Sequence, residues 1–113
     1  MPHLILHLSP ELKNENWLDF FEKAHAILSP HANIAQCKSR VTDISSVYLG
    51  THTKAEALIY LEVALKPRPE EVLNVIGDQL FECLNAFSTP ILKKYHLLGE
   101  PTLELRLLEH YWQ

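Results

Sequence analysis

The first eight residues alternate apolar and polar side chains, and this pattern limits how the chain can begin. Apolar residues recur at every second position, a period typical of a β-strand with one buried face: Leu4, Leu6 and Leu8. The opposite face of the same strand carries His3, Ile5 and His7. Because the strand starts directly after Pro2, we expect the amino terminus to be held rigidly, whereas most chain ends fray.

Pro2 follows Met1 and is small enough for the methionine to be removed, which leaves a secondary amine at the tip of the strand. An α-amino group titrates near neutrality, and burial or a neighbouring cation lowers its pKa further. An amine that is neutral at physiological pH can accept a proton from carbon or oxygen. Pro2 is therefore a candidate base. The alternative is that Pro2 has no chemical role, as in most proteins that begin Met-Pro; with Met1 retained, its nitrogen is an amide and cannot act.

Composition limits the other classes of function. The 113 residues fit one domain (residues 1–113). The chain has 10 Lys and Arg against 14 Asp and Glu, which gives a formal charge of −4. It has no basic patch, and this argues against nucleic acid as a binding partner. Apolar runs are too short for a membrane span, and no secretory signal is visible. Cys37 and Cys83 belong to no motif, which favours reduced thiols and a cytoplasmic protein, with a single disulfide as the alternative.

The remaining elements follow from their periods. Residues 17–28 carry the apolar stripe of an amphipathic helix. Asn14 or Asn16 could cap its start; the alternative is a longer helix that begins at Ser9, with Pro10 as its first residue. Residues 36–48 and 57–66 are predicted strands, with residues 50–54 as a turn or loop. A second helix is predicted from residue 69 to about 87, with residues 91–95 as a possible further turn after Pro90. Residues 102–107 alternate without fault and form the last strand.

The predicted fold class is α+β, with a β-α-β-β-α-β subunit that has one sheet and two helices on one face. Each crossover joins parallel strands and is expected to be right-handed, which leaves the other face of the sheet bare. We expect this bare face to carry apolar residues such as Ile5, Leu58 and Tyr60, and therefore to be covered by association with other subunits. On the second strand, Lys38, Arg40 and Thr42 share one face; a solvated strand face is the alternative to a binding site.

These features resemble the tautomerase superfamily, and within it the 5-carboxymethyl-2-hydroxymuconate isomerases, over nearly the full length. No single matching segment is specific for this family, but the order and spacing of the segments together are. The matching pieces are residues 2–5, Ser9, residues 38–41, residues 65–66 and residues 80–82. The resemblance implies a homotrimer whose subunits bury their bare sheet faces. It also implies a cofactor-free isomerase in which Pro2 moves a proton along an unsaturated keto acid during the catabolism of aromatic compounds.

The same resemblance assigns roles to individual residues. Pro2 matches the general base and acid, and Arg40 matches an arginine that grips a substrate carboxylate with two hydrogen bonds. Lys38 stands where the isomerase pattern has another arginine, so the charge is kept and the bidentate geometry is lost. Arg68 matches a further arginine once a short deletion is allowed. The departure at Lys38 leaves the exact substrate open.

Other chemistry has no support in the sequence. We expect His3 and His7 to be structural rather than catalytic. The chain lacks a metal-binding or phosphate-binding motif and a serine-nucleophile elbow, so neither metal nor nucleotide cofactor is predicted. The second hypothesis is a catalytically inactive homologue that acts as a small-molecule-binding or structural trimer.

Overall fold

The computed structural model describes residues 2–32, 35, 37–42 and 56–112. The elements follow the predicted order: β1 (His3–Leu8), α1 (Trp17–Leu28), β2 (Lys38–Thr42), β3 (Ile59–Leu65), α2 (Glu70–Lys94) and β4 (Thr102–Leu107). α1 begins directly after Asn16, which confirms one of the predicted starts. The longer alternative, a start at Ser9 and Pro10, is wrong, because Pro10–Leu12 forms a separate short 3₁₀ turn. The predicted continuation of the second strand over residues 43–48, and the predicted turn at 50–54, lie outside the described residues.

The four strands form one mixed sheet in the order β2-β1-β3-β4. β1 is parallel to β2, and β3 is parallel to β4, because each pair is joined by a helical crossover. The two halves meet where β1 and β3 run antiparallel. This arrangement confirms the predicted β-α-β-β-α-β fold.

The core lies between the sheet and the helices. Alternate side chains of β1 and β3 are buried together with the apolar faces of α1 and α2 in a single cluster. An aromatic group joins the two helices, since the Trp17 and Phe20 rings lie 5.3 Å and 5.9 Å from the Phe87 ring. The indole of Trp17 donates a hydrogen bond of 2.8 Å to the carbonyl oxygen of Leu12, so the buried polar atom is satisfied.

The second helix is longer than predicted. α2 continues through Pro90 to Lys94 rather than ending near Phe87, so the further turn that the sequence left open belongs to the helix. Beyond Pro90, Ile91 and Leu92 are buried in the core, and this burial offsets the hydrogen bond that the proline cannot donate. Within the described part of the chain, no helix is both long and apolar enough to cross a membrane.

The open face of the sheet differs from the apolar face that the sequence analysis expected. Residues opposite one another in the register share a face: His3, Ile5, His7, Lys38, Arg40, Thr42, Tyr60, Glu62, Ala64, Thr102, Glu104 and Arg106. Of these side chains, only those of Ile5 and Ala64 lack a polar group. Most apolar side chains of β1 and β3 lie on the other face, where they are buried in the core. The expectation of an apolar open face is therefore wrong, and this face gives no hydrophobic reason for the subunits to associate. The homotrimer stays a prediction.

Candidate active site

Pro2 is buried and lies directly before β1. Its carbonyl oxygen accepts a hydrogen bond of 3.1 Å from the backbone N–H of Lys38, at the start of the neighbouring strand. This bond ties the first described residue of the chain to β2. The terminus is therefore part of the sheet, as the alternation of the first eight residues predicted.

Four chain segments meet at this end of the sheet. His3 lies opposite Lys38 in β2 and opposite Ala64 near the end of β3. Ala64 in turn lies opposite Arg106, near the end of β4. The start of β1 is thus surrounded by the start of β2 and by the loops that follow β3 and β4.

Lys38 and Arg40 come together on the open face. Both are exposed, and they lie opposite His3 and Ile5 respectively. Partial burial lowers the pKa of His3, and the positive charges of Arg40 and Lys38 lower it further. The predicted pair of cations therefore forms one electropositive patch around His3.

Pro2 does not share a face with this patch inside one subunit. Side chains alternate along β1, so the Pro2 ring lies on the same side as Leu4, whereas Arg40 lies on the side of Ile5. Arg40 is opposite a residue three positions after Pro2, which corresponds to about 10 Å along a strand. The structure therefore places Arg40 in the middle of β2, on the open face, and does not bring it against Pro2 within the subunit.

Arg68 donates hydrogen bonds to the backbone of two chain segments. Its Nε donates to the carbonyl oxygen of His31 at 3.0 Å, and its Nη1 donates to that of Lys66 at 2.7 Å. The guanidinium therefore connects the segment after α1 to the segment after β3. Its predicted role in substrate binding stays a prediction, while the geometry gives it a positioning role.

His7 lies on the same face of the sheet and has several polar partners. A hydrogen bond of 2.9 Å links His7 Nε2 to Glu62 Oε1, and Arg106 Nη2 lies 3.4 Å from the second oxygen of the same carboxylate. The His7 ring also contacts Tyr60 edge-on, with the ring centroids 5.6 Å apart. Desolvation raises the pKa of Tyr60, and a hydrogen bond to Glu104 raises it further. His7 therefore belongs to a polar network across β1, β3 and β4.

A further cluster of polar side chains joins α1 to β2, and no pattern in the sequence predicted it. His25 Nε2 lies 2.5 Å from Ser39 Oγ and 3.3 Å from Cys37 Sγ. Cys37 immediately precedes the residue that pairs with His3, so this cluster lies beside Pro2. No sequence motif marks it, because helix packing brings His25 to residues 12 and 14 positions away.

Cys37 and Cys83 are both free thiols. Burial raises the pKa of each thiol. Among the described residues, no group of three or more His, Cys, Asp or Glu side chains is arranged to hold a metal ion.

No protein-family model and no curated protein sequence matches the chain. Solved structures match over nearly its whole length. A 5-carboxymethyl-2-hydroxymuconate isomerase from Deinococcus radiodurans R1 has a TM-score of 0.86 at 19% identity, covering 99% of this chain and 87% of that one. A macrophage migration inhibitory factor-like protein from Entamoeba histolytica has a TM-score of 0.62 at 16% identity, covering 95% and 88%.

The chain therefore has the fold of the tautomerase superfamily, which confirms the resemblance drawn from the sequence. The match to 5-carboxymethyl-2-hydroxymuconate isomerases is repeated in a second structure, a delta-isomerase with a TM-score of 0.82 at 13% identity that covers 100% of this chain and 86% of that one. At these identities the likeness concerns the fold, and the activity of this chain has to be argued from its own residues.

Proposed function

We propose that this protein is a cofactor-independent isomerase of the 5-carboxymethyl-2-hydroxymuconate delta-isomerase type, with Pro2 as its base once Met1 has been removed. One observation carries the proposal: Pro2 is buried at the start of β1 and is tied by its carbonyl oxygen to Lys38. A terminal amine held in this way is pre-positioned, so little conformational entropy is lost when a substrate binds.

The proposed reaction moves one proton. The neutral prolyl nitrogen takes a proton from the carbon between the carbonyl group and the double bond of an unsaturated keto acid. The electron pair of the broken C–H bond then spreads over the conjugated system as a dienolate. The protonated nitrogen returns the proton to a carbon further along, which shifts the double bond. Burial disfavours the charged form of an amine, so the buried position of Pro2 supports the neutral form that starts this cycle.

The cationic patch supplies the carboxylate-binding part of the proposal. Lys38 and Arg40 are exposed on one face and adjacent to each other. A guanidinium binds a carboxylate through two parallel hydrogen bonds, and the ammonium of Lys38 adds a point charge. Because Pro2 and Arg40 occupy different faces of one subunit, we propose that the pocket is completed in a homotrimer, where an exposed Arg40 can approach the Pro2 of a neighbour. Arg68 acts on the same pocket by holding the two loops in place.

A second candidate is a trimer of the same fold that binds a small carboxylate without turning it over. Two observations favour it: Lys38 replaces an arginine of the isomerase pattern, and Arg68 already donates to two backbone carbonyls. Both candidates place a small anionic ligand at the same end of the sheet. They differ in whether the Pro2 nitrogen is a free amine.

The deciding experiment has two parts. The intact mass of the protein from its native host shows whether Met1 has been removed. Ultraviolet absorbance then follows conversion of a hydroxymuconate by the wild type, by Pro2→Ala and by Pro90→Ala, a control in an exposed position of α2. We expect Pro2→Ala to lower kcat by about a hundredfold or more, in the range of a lost general base, and Pro90→Ala to leave it unchanged. A retained Met1, or equal rates in the wild type and Pro2→Ala, would favour the binding protein.

A further inference from the structure

The cluster of Cys37, His25 and Ser39 has no part in the proton transfer proposed for Pro2. The imidazole projects from α1, the thiol comes from the residue just before β2, and the hydroxyl comes from the second residue of β2. Packing of the helix on the edge of the sheet therefore assembles all three. One nitrogen, Nε2 of His25, is within reach of both partners, at 3.3 Å from the sulfur and 2.5 Å from the oxygen. A base in contact with a nucleophile is the minimal arrangement for covalent chemistry.

The three groups fit the charge changes that a thiol undergoes when it reacts. In the resting state the thiol is neutral, since burial raises the pKa of Cys37. When the proton passes to His25, the new imidazolium N–H faces the thiolate. The hydroxyl of Ser39 can donate to the same sulfur, and this hydrogen bond opposes the effect of burial on the pKa. The cluster thus holds two donors ready for a negative charge on Cys37.

We propose that Cys37 is a nucleophilic site, activated by His25 and assisted by Ser39, that is modified covalently by small electrophiles with a carbon–carbon double bond conjugated to a carbonyl group. The proposal does not depend on Pro2 being catalytic, because neither the thiol nor the imidazole takes part in that reaction.

The modification is a conjugate addition, and it needs no oxidant or leaving group. His25 Nε2 accepts the thiol proton while the sulfur forms a bond to the β-carbon of the electrophile. The π electrons of the double bond move towards the carbonyl oxygen and give an enolate. The imidazolium then returns its proton to the α-carbon, so that the net change is addition of S–H across the double bond.

Cys83 provides an internal control in the same molecule. It is half-buried like Cys37, and burial also raises the pKa of its thiol. It lines an open groove between α1 and α2 with Ile27 and Glu82, so a reagent can reach it. In the described part of the chain, no imidazole contacts Cys83, and the cation that acts on it is Lys23.

The test uses N-ethylmaleimide, a conjugated carbonyl electrophile, on the full chain at neutral pH. Mass spectrometry of the peptides that contain Cys37 and Cys83 gives both labelling rates from one sample. In the wild type we expect Cys37 to react at least about tenfold faster than Cys83, a threshold set below the roughly hundredfold or more that a positioned base contributes. In denaturing urea the two rates should become similar, because the cluster no longer exists.

Two variants separate activation from exposure. His25→Gln keeps a polar side chain on the helix but removes the base, and should bring the rate of Cys37 down towards that of Cys83 without changing the latter. Ser39→Ala should slow Cys37 by a smaller factor. The proposal is overturned if Cys37 is no faster than Cys83 in the folded wild type, if the excess rate persists in urea, or if His25→Gln leaves the ratio unchanged. Should a variant fail to fold, the wild-type comparison still overturns the proposal if Cys37 is no faster than Cys83, and Ser39→Ala supplies the second test of activation.

Discussion

The backbone N–H of Lys38 donates to the carbonyl oxygen of Pro2 at 3.1 Å, and through this bond the start of one strand is fixed to the start of another. One residue further, His3 lies opposite Lys38, and its pKa is lowered by burial and by the charges of Arg40 and Lys38. Pro2 and Lys38 therefore lie at one end of the sheet, and the cationic patch extends from Lys38 along β2 on the face opposite to that of Pro2.

Replacement of Arg40 tests the carboxylate-binding role. If Arg40 binds the substrate in both the ground and transition states, Arg40→Ala should raise KM and lower kcat, with kcat/KM down at least about tenfold, or about 1.4 kcal/mol. Arg106→Ala is the matched control, since Arg106 is an arginine of the same face that contacts Glu62 instead. Steady-state kinetics on a hydroxymuconate give both constants. Equal losses in the two variants would point to the general charge of the face rather than to a site at Arg40.

Arg68 should contribute to stability through its two backbone partners. Arg68→Ala leaves the carbonyl oxygens of His31 and Lys66 without these hydrogen bonds, and we expect a loss of about 1–3 kcal/mol in the free energy of unfolding. Arg68→Lys should recover little, because an ammonium lacks the planar fork that spans both oxygens. Urea unfolding measures the change. Unaltered stability together with a higher KM would instead assign Arg68 to substrate binding.

His3 should make stability depend on pH. Its pKa in the folded protein is lowered from the ordinary value of 6.5, so the unfolded chain binds the proton more readily. The free energy of unfolding should therefore fall as the pH drops from about 6.5 through the lower pKa of the folded state. Comparing urea unfolding of the wild type and His3→Gln between pH 7 and 5 isolates this contribution from the other histidines. Parallel curves for the two proteins would contradict the expectation.

Leu6 tests where the core lies. Leu6 is 0% exposed in the middle of β1, and Leu6→Ala should reduce the free energy of unfolding by about 3 kcal/mol through lost burial and the cavity left behind. Leu18 is 74% exposed on α1, so Leu18→Ala should change it by less than about 0.5 kcal/mol. Denaturant unfolding of both variants gives the comparison. A large effect at Leu18 would indicate that another surface covers it in solution.

Local patterns in the sequence decided most of the fold. The alternation of Leu4, Leu6 and Leu8 predicted β1, and the residues predicted for the last strand coincide with β4 (Thr102–Leu107). These elements are predictable because one buried face imposes a period of two on neighbouring residues. α2 extends past the predicted end near residue 87 and includes the further turn that the sequence left open. The burial of Ile91 and Leu92 against other elements outweighs the local effect of Pro90.

The sequence by itself also singled out Pro2, Lys38 and Arg40, since a proline directly after the first methionine and closely spaced cations are visible without a structure. Only the tertiary structure decided which face each of them occupies, that the open face is polar, and that His25 meets Cys37 and Ser39. The physical reason is that these relationships depend on strand register and on how a helix packs across a sheet. Such contacts join residues far apart in the chain, and no local period records them.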